Sequence, residues 1–208
     1  DASLVGYQAK PLEGDATLYL FQRAKSKLDS FQRGEGLRFN LNSDLAVFKI
    51  TPGFDTLRTL KLKKVKKNKW PKDSLCILNL RDDTLVKVSG LKKYALSKEG
   101  NTLCYLTNST VKAKGWRPFS KAKPFRKVNT LHVYTAYPNI FLALEGVTDF
   151  RLSDDGNRLA VLKELTIDKE KSYSISVYDL RSKNPVREFD QAEQFKLSRW
   201  SESTDKFA

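Results

Sequence analysis

The side chains of this sequence that could do chemistry are few, and their spacing points away from catalysis. Nucleophilic catalysis needs a Ser or Cys with a base beside it. The only histidine, His132, sits in the alternating run Thr130-Leu131-His132-Val133-Tyr134, which reads as a partly buried strand residue. No Gly-x-Ser-x-Gly elbow occurs. Ser153 and Ser201 stand at turn positions, where a hydroxyl caps its own backbone. Asp154 and Asp155 are adjacent and fall on opposite sides of a turn, a poor geometry for a carboxylate pair. Cys76 and Cys104 each lie in an apolar run and read as small buried thiols. With no phosphate-binding glycine loop and no metal-spaced His/Cys/Asp set, the sequence calls for no cofactor, no metal and no catalytic residue of its own.

Charge is the sharper signal. The net charge is +14. Residues 1–128 hold 27 Lys and Arg against 11 Asp and Glu, whereas residues 129–208 hold 11 against 13. The excess peaks at Lys61, Lys63, Lys64, Lys66, Lys67, Lys69 and Lys72. Such a run is either an anionic-surface or nucleic-acid patch, or a solvated hairpin or loop. Leu57, Leu60, Leu62 and Val65 interleave with it and read as an exposed ribbon with one apolar face. Trp70 and Trp116 could stack on bases, but Pro71 and Pro118 follow closely, which suits packed turns. Nucleic acid is therefore not expected as the partner. No apolar run is long enough to span a membrane.

The elements that carry these residues repeat. Phe150-Arg151-Leu152-Ser153-Asp154-Asp155-Gly156-Asn157-Arg158-Leu159-Ala160-Val161-Leu162 is two short strands around a turn able to take positive φ. Tyr94 to Leu106 is a second copy, Trp200 to Ala208 a third, and Phe39 to Phe48 a fourth with a shorter turn. Leu41, Leu96, Leu152 and Trp200 then align at spacings of 55, 56 and 48 residues. Strands repeating at such a period are the mark of propeller blades. Each unit reads strand, turn, strand, polar insertion, strand, turn, strand. No helical period longer than a turn or two stands out, so the class is all-β: a β-propeller built of four-stranded antiparallel blades. About three full units are expected, with boundaries at 1–36 (partial), 37–90, 91–146, 147–194 and 195–208 (partial). Because the last copy stops inside a strand at Phe207-Ala208, a portion of a larger propeller is favoured over a closed four-bladed ring.

Ser153-Asp154-Asp155-Gly156 followed by Leu159-Ala160 resembles the Ser-Pro-Asp-Gly propeller motif of the prolyl oligopeptidase family and of TolB-type propellers, with Asp154 where that motif has Pro. Trp70-Pro71-Lys72-Asp73-Ser74-Leu75-Cys76-Ile77-Leu78-Asn79-Leu80, after a lysine-rich insertion, is more similar to family members of Bacteroidetes-type bacteria. The resemblance implies an N-terminal propeller that scaffolds a C-terminal α/β-hydrolase domain of the same polypeptide and restricts which peptide substrates reach its nucleophile. It also implies a periplasmic or secreted protein. The catalytic motif of that family is not in these residues, so no catalytic role carries over. The alternative is a non-catalytic TolB- or WD-like propeller that binds other proteins.

Overall fold

A computed structural model describes residues 3–112, 125–135, 141–167, 170–182 and 184–192, together with Leu197 and Trp200. The chain divides into two compact units, Asp1–Leu91 and Lys92–Ala208.

The first unit holds two antiparallel sheets. One is three-stranded: β1 (Leu4–Ala9), β2 (Thr17–Gln22) and β3 (Lys27–Gln32). The other is four-stranded: β4 (Gly34–Phe39), β5 (Leu45–Ile50), β6 (Ser74–Asn79) and β7 (Thr84–Val88). Both are meanders, with spatial order equal to chain order. The alternation of strand side chains decides the core. Leu18 and Leu20 of β2 meet Ala46 and Phe48 of β5 and Cys76 and Leu78 of β6 in one cluster. Phe31 closes it, with its ring centroid 4.6 Å from that of Phe48. Leu45, Ala46, Val47 and Phe48 are all buried, so β5 is apolar on both faces, as a strand covered on both sides must be.

Two further four-stranded meanders make up the second unit. They are β8 (Leu91–Leu96), β9 (Thr102–Lys112), β10 (Phe125–Thr135) and β11 (Phe141–Glu145), then β12 (Val147–Leu152), β13 (Arg158–Ile167), β14 (Glu170–Asp179) and β15 (Asn184–Ala192). Cys104, Leu106, Leu131 and Val133 from one sheet pack against Val147, Phe150, Leu159 and Val161 from the other. Phe150 is fully buried there, and truncating such a side chain to Ala costs about 3–5 kcal/mol. The opposite face of the last sheet carries Ala160, Leu162, Ile175 and Val177, with Leu197 and Trp200 packed on it.

This is the expected all-β architecture of propeller blades. Among the described residues the sheets are three of four strands and one of three. Each four-stranded sheet is entered through one residue in the left-handed region: Arg33 (φ 62°), Gly90 (φ 72°) and Gly146 (φ 77°).

The insertions between second and third strands differ from their sequence reading. Leu57 to Leu62 is not a strand, nor is the lysine run a ribbon. The segment folds as α1 (Phe54–Leu62), followed by a 3-10 turn at Lys67–Lys69. Leu57 and Leu60 at i and i+3 place an apolar stripe on one side of the helix, too short a period to stand out beside the lysine run that follows. In the second unit the described parts of the polar insertions are strand. Lys112 pairs with Phe125 and Ile167 with Glu170, so both hairpins run on past their neighbours.

Candidate functional site

The repeated turn is built by one side-chain oxygen. Ser153 N–H donates to the Arg158 carbonyl (2.9 Å), and Ser153 Oγ accepts from Arg158 N–H (2.9 Å). Ser97 does the same five residues ahead, with its N–H to the Thr102 carbonyl (2.9 Å) and its Oγ accepting from Thr102 N–H (3.0 Å). Asn40 plays this part in the first unit. Its N–H donates to the Leu45 carbonyl (3.2 Å), and its Oδ1 accepts from the N–H groups of Leu45 (2.9 Å) and Asp44 (3.1 Å). The equivalent columns are thus Asn40, Ser97 and Ser153, and the first copy has a turn of the same length. The expected alignment of Leu41 with Leu96 and Leu152 is off by two residues. Leu41 is 60% exposed, and Phe39 ends β4 as Leu96 ends β8 and Leu152 ends β12.

Of the two adjacent acidic residues, Asp155 holds this turn with its carboxylate. Asp155 Oδ1 accepts from Ser153 Oγ (2.5 Å) and Asn157 N–H (3.0 Å), and its Oδ2 accepts from Asn157 Nδ2 (2.8 Å). Partial burial pushes the Asp155 carboxyl up. The hydrogen bonds from Ser153 and Asn157, aided by the Arg181 charge, outweigh that and hold it below its ordinary range.

A second element also repeats. The Leu80 and Leu180 N–H groups donate back to the Asp44 and Asn157 carbonyls (both 2.8 Å). The arginines that follow reach the same residues: Arg81 Nη2 lies 2.7 Å from Asp44 Oδ2, and Arg181 Nε 3.2 Å from Asn157 Oδ1. The signal was present as Asn79-Leu80-Arg81 and Asp179-Leu180-Arg181 at the ends of β6 and β14. The Leu-Arg doublet staples the third strand's exit turn to the first turn of the same sheet.

Within the second unit, neighbouring turns are locked together by one main-chain bond and one hydroxyl. Glu99 N–H donates to the Asp154 carbonyl (2.9 Å), and Thr102 Oγ1 donates to the Gly156 carbonyl (2.8 Å). A Cβ on Gly100 would stand 2.2 Å from the Asp155 carbonyl oxygen, so only glycine allows the approach. Lys98 adds an ion pair to Asp154 (2.7 Å), but both side chains are largely exposed and such pairs contribute little. Deeper in, Lys93 Nζ binds Asp149 and the Phe150 carbonyl and lies 4.9 Å from the Phe150 ring centroid.

These turns frame an open polar recess of about 340 Å³, lined by Glu99, Asn101, Thr102, Thr135, Asp155 and Arg181 among others. It offers two carboxylates, a guanidinium, amides and hydroxyls, groups that can bind a peptide backbone by hydrogen bonds. No histidine or cysteine lines it. His132 stacks on Tyr105 (4.9 Å, 18°) with Nε2 3.4 Å from Thr107 Oγ1, and desolvation lowers its pKa. It is a strand residue held among strand side chains. Cys76 and Cys104 are buried free thiols, and burial pushes both thiol pKa values up. Among the described residues, no group of three or more His, Cys, Asp or Glu could hold a metal ion, and no helix is long and apolar enough to cross a membrane.

The expected anionic-surface residues lie together at the opposite end of the β4–β7 sheet from its Asn40 turn. Lys61 is on α1; Lys63 and Lys64 cap it; Lys66 to Lys72 follow, and all seven lysines are exposed. Trp70 is half-buried with its indole N–H on the Val65 carbonyl (2.8 Å), a packed turn as Pro71 suggested. Trp116, Pro118 and residues 201–208, which include Ser201 and most of the last motif copy, lie outside the described residues. Trp200 of that copy donates its indole N–H to the Arg151 carbonyl (3.3 Å).

No family model matches the chain, and no curated protein matches it. Solved structures do. The chain is similar to the β-propeller domain of the Trilobed protease from Pyrococcus furiosus at 8% identity and a TM-score of 0.47, over 95% of this chain and 56% of that one. It is similar to an acylaminoacyl peptidase solved with Z-Gly-Gly-Phe-chloromethyl ketone at 10% identity and a TM-score of 0.48, over 96% and 33%. The Pyrococcus horikoshii acylaminoacyl peptidase matches at 10% identity and a TM-score of 0.47, over 96% and 32%. The chain therefore spans just over half of the first of these and about a third of the others. Likeness at this level says nothing by itself of what the chain does.

Proposed function

We propose that this chain is the propeller portion of a prolyl oligopeptidase-like serine peptidase, exported to the periplasm or beyond. In this reading the blades scaffold an α/β-hydrolase domain elsewhere in the same polypeptide and restrict which peptides reach it. The observation that carries it is the repeated turn. The motif by which the sequence resembles that family recurs as one hydrogen-bonded structure at Asn40, Ser97 and Ser153, and the last two turns are locked to each other through Gly100 and Gly156. A wall that sorts peptides by size must not part between blades, and main-chain contact across the turns resists parting. The Bacteroidetes-type subgroup rests on Trp70 to Leu80 alone.

The test is to purify the natural polypeptide that carries this chain and treat it with a fluorophosphonate probe of serine hydrolases. Labelling of a serine outside these 208 residues is expected. A polypeptide that takes no label and contains no hydrolase domain refutes the reading and leaves the protein-binding propeller in its place.

A further inference from the structure

The α1 segment is more than a solvated loop would require. Residues 54–72 hold eight Lys and Arg against one acidic residue, Asp55. None of the α1 side chains is buried, so the helix stands outside the cores of its unit. Its apolar stripe, Leu57 and Leu60 with Val65 beyond, is half-buried, whereas Leu62 is 75% exposed on another side, flanked by Lys61 and Lys63 with Arg58 one turn back. The helix ends in a Schellman cap: Val65 N–H donates to the Leu60 carbonyl and Lys64 N–H to the Lys61 carbonyl (3.0 Å each). Lys64 takes the left-handed position of that cap (φ 51°), where glycine is the unstrained residue. A lysine thus stands where geometry favours glycine, and a leucine where solvent favours a polar side chain.

We propose that this segment docks the protein on an anionic lipid surface. Lysines spread over a helix end and the following turn suit a sheet of negative headgroups, and Leu62 enters the acyl boundary between them. Nucleic acid fits less well. Phosphates have no use for an exposed leucine, and Trp70, the tryptophan of this segment, is half-buried with its N–H engaged.

The experiment is co-sedimentation of the protein with phosphatidylcholine vesicles containing or lacking phosphatidylserine. Binding is expected only with phosphatidylserine. It should vanish as salt rises from about 10 mM to 1 M, where the screening length falls from about 30 Å to about 3 Å. Each lysine is worth about fivefold in partitioning, so neutralising Lys63, Lys64, Lys66 and Lys67 to Gln lowers it on the order of several hundredfold. Leu62→Gln lowers it several-fold without any change in charge, and unchanged circular dichroism certifies both variants as folded. Equal binding to both vesicle types, or no loss in the quadruple variant, overturns the proposal. So does low-salt binding to a DNA duplex with none to vesicles.

Discussion

Three alanine substitutions separate the two physical demands that the turns of the second unit place on glycine. Gly146 has φ +77° and nothing within 4 Å of a built Cβ. Gly146→Ala therefore introduces backbone strain alone, roughly 1–2 kcal/mol, partly offset by the smaller entropy of the unfolded chain. Gly100 is not in the left-handed region, but its Cβ would meet the Asp155 carbonyl oxygen at 2.2 Å and the carbonyl carbon at 2.9 Å. Those are backbone atoms that cannot rotate away, so Gly100→Ala forces the neighbouring turn to shift, at about 2–3 kcal/mol. Gly156 combines both demands, with φ +75° and a Cβ 2.9 Å from Ser97 Cβ and Oγ. Gly156→Ala should cost about 3–4 kcal/mol if the two effects add. Urea unfolding reads the three side by side. With a slope of about 2.5 kcal/mol per molar, the midpoint falls by about 0.3 M for Gly146→Ala, about 1 M for Gly100→Ala and more for Gly156→Ala. If Gly100→Ala is as mild as Gly146→Ala, the turns do not meet as described and the interlock is refuted.

Other substitutions probe single contacts. Asn40→Ala removes a buried acceptor of two backbone N–H groups and should lower stability by about 1–3 kcal/mol in the same assay, with Asn40→Ser falling between it and the wild type because a serine builds this turn elsewhere. The depressed Asp155 carboxyl sets a pH dependence. Its contribution is fully present above the unfolded-state value, about 3.9, and is lost as pH falls through the lower folded-state value, so the midpoint gap between wild type and Asp155→Asn should narrow from pH 6 to pH 3; a constant gap would contradict it. Lys64→Gly should raise the thermal midpoint, the relief of left-handed strain (about 1 kcal/mol) exceeding the loss of a cation near a helix C-terminus (about 0.3 kcal/mol). A lowered midpoint would mean that the lysine side chain holds the cap.

The blade pattern was legible because its columns carry burial. Leu96 and Leu152 end their strands, and Ser97 and Ser153 close their turns in the same way. The first copy is misaligned because Leu41-Asn42-Ser43-Asp44 looks like Leu152-Ser153-Asp154-Asp155, which sets the register two residues downstream of Asn40. Helix α1 was missed because its apolar stripe is only Leu57 and Leu60 before the cap, too short a period to outvote an all-β context. The Leu-Arg staples were hidden for another reason: both residues sit just past a strand end, and only the fold brings Arg81 to Asp44 across 37 positions. Asp154 and Asp155, by contrast, read as turn residues from their adjacency alone.

The claim that the blades filter peptides for a hydrolase domain is tested most directly by the length dependence of hydrolysis. The natural polypeptide is given fluorogenic peptides from tripeptides to several tens of residues, and kcat/KM is compared with that of its Gly100→Ala variant. A steep fall with length in the wild type, relaxed in the variant whose turns are forced apart, is the expected result. Equal cleavage of all lengths by both proteins would contradict it.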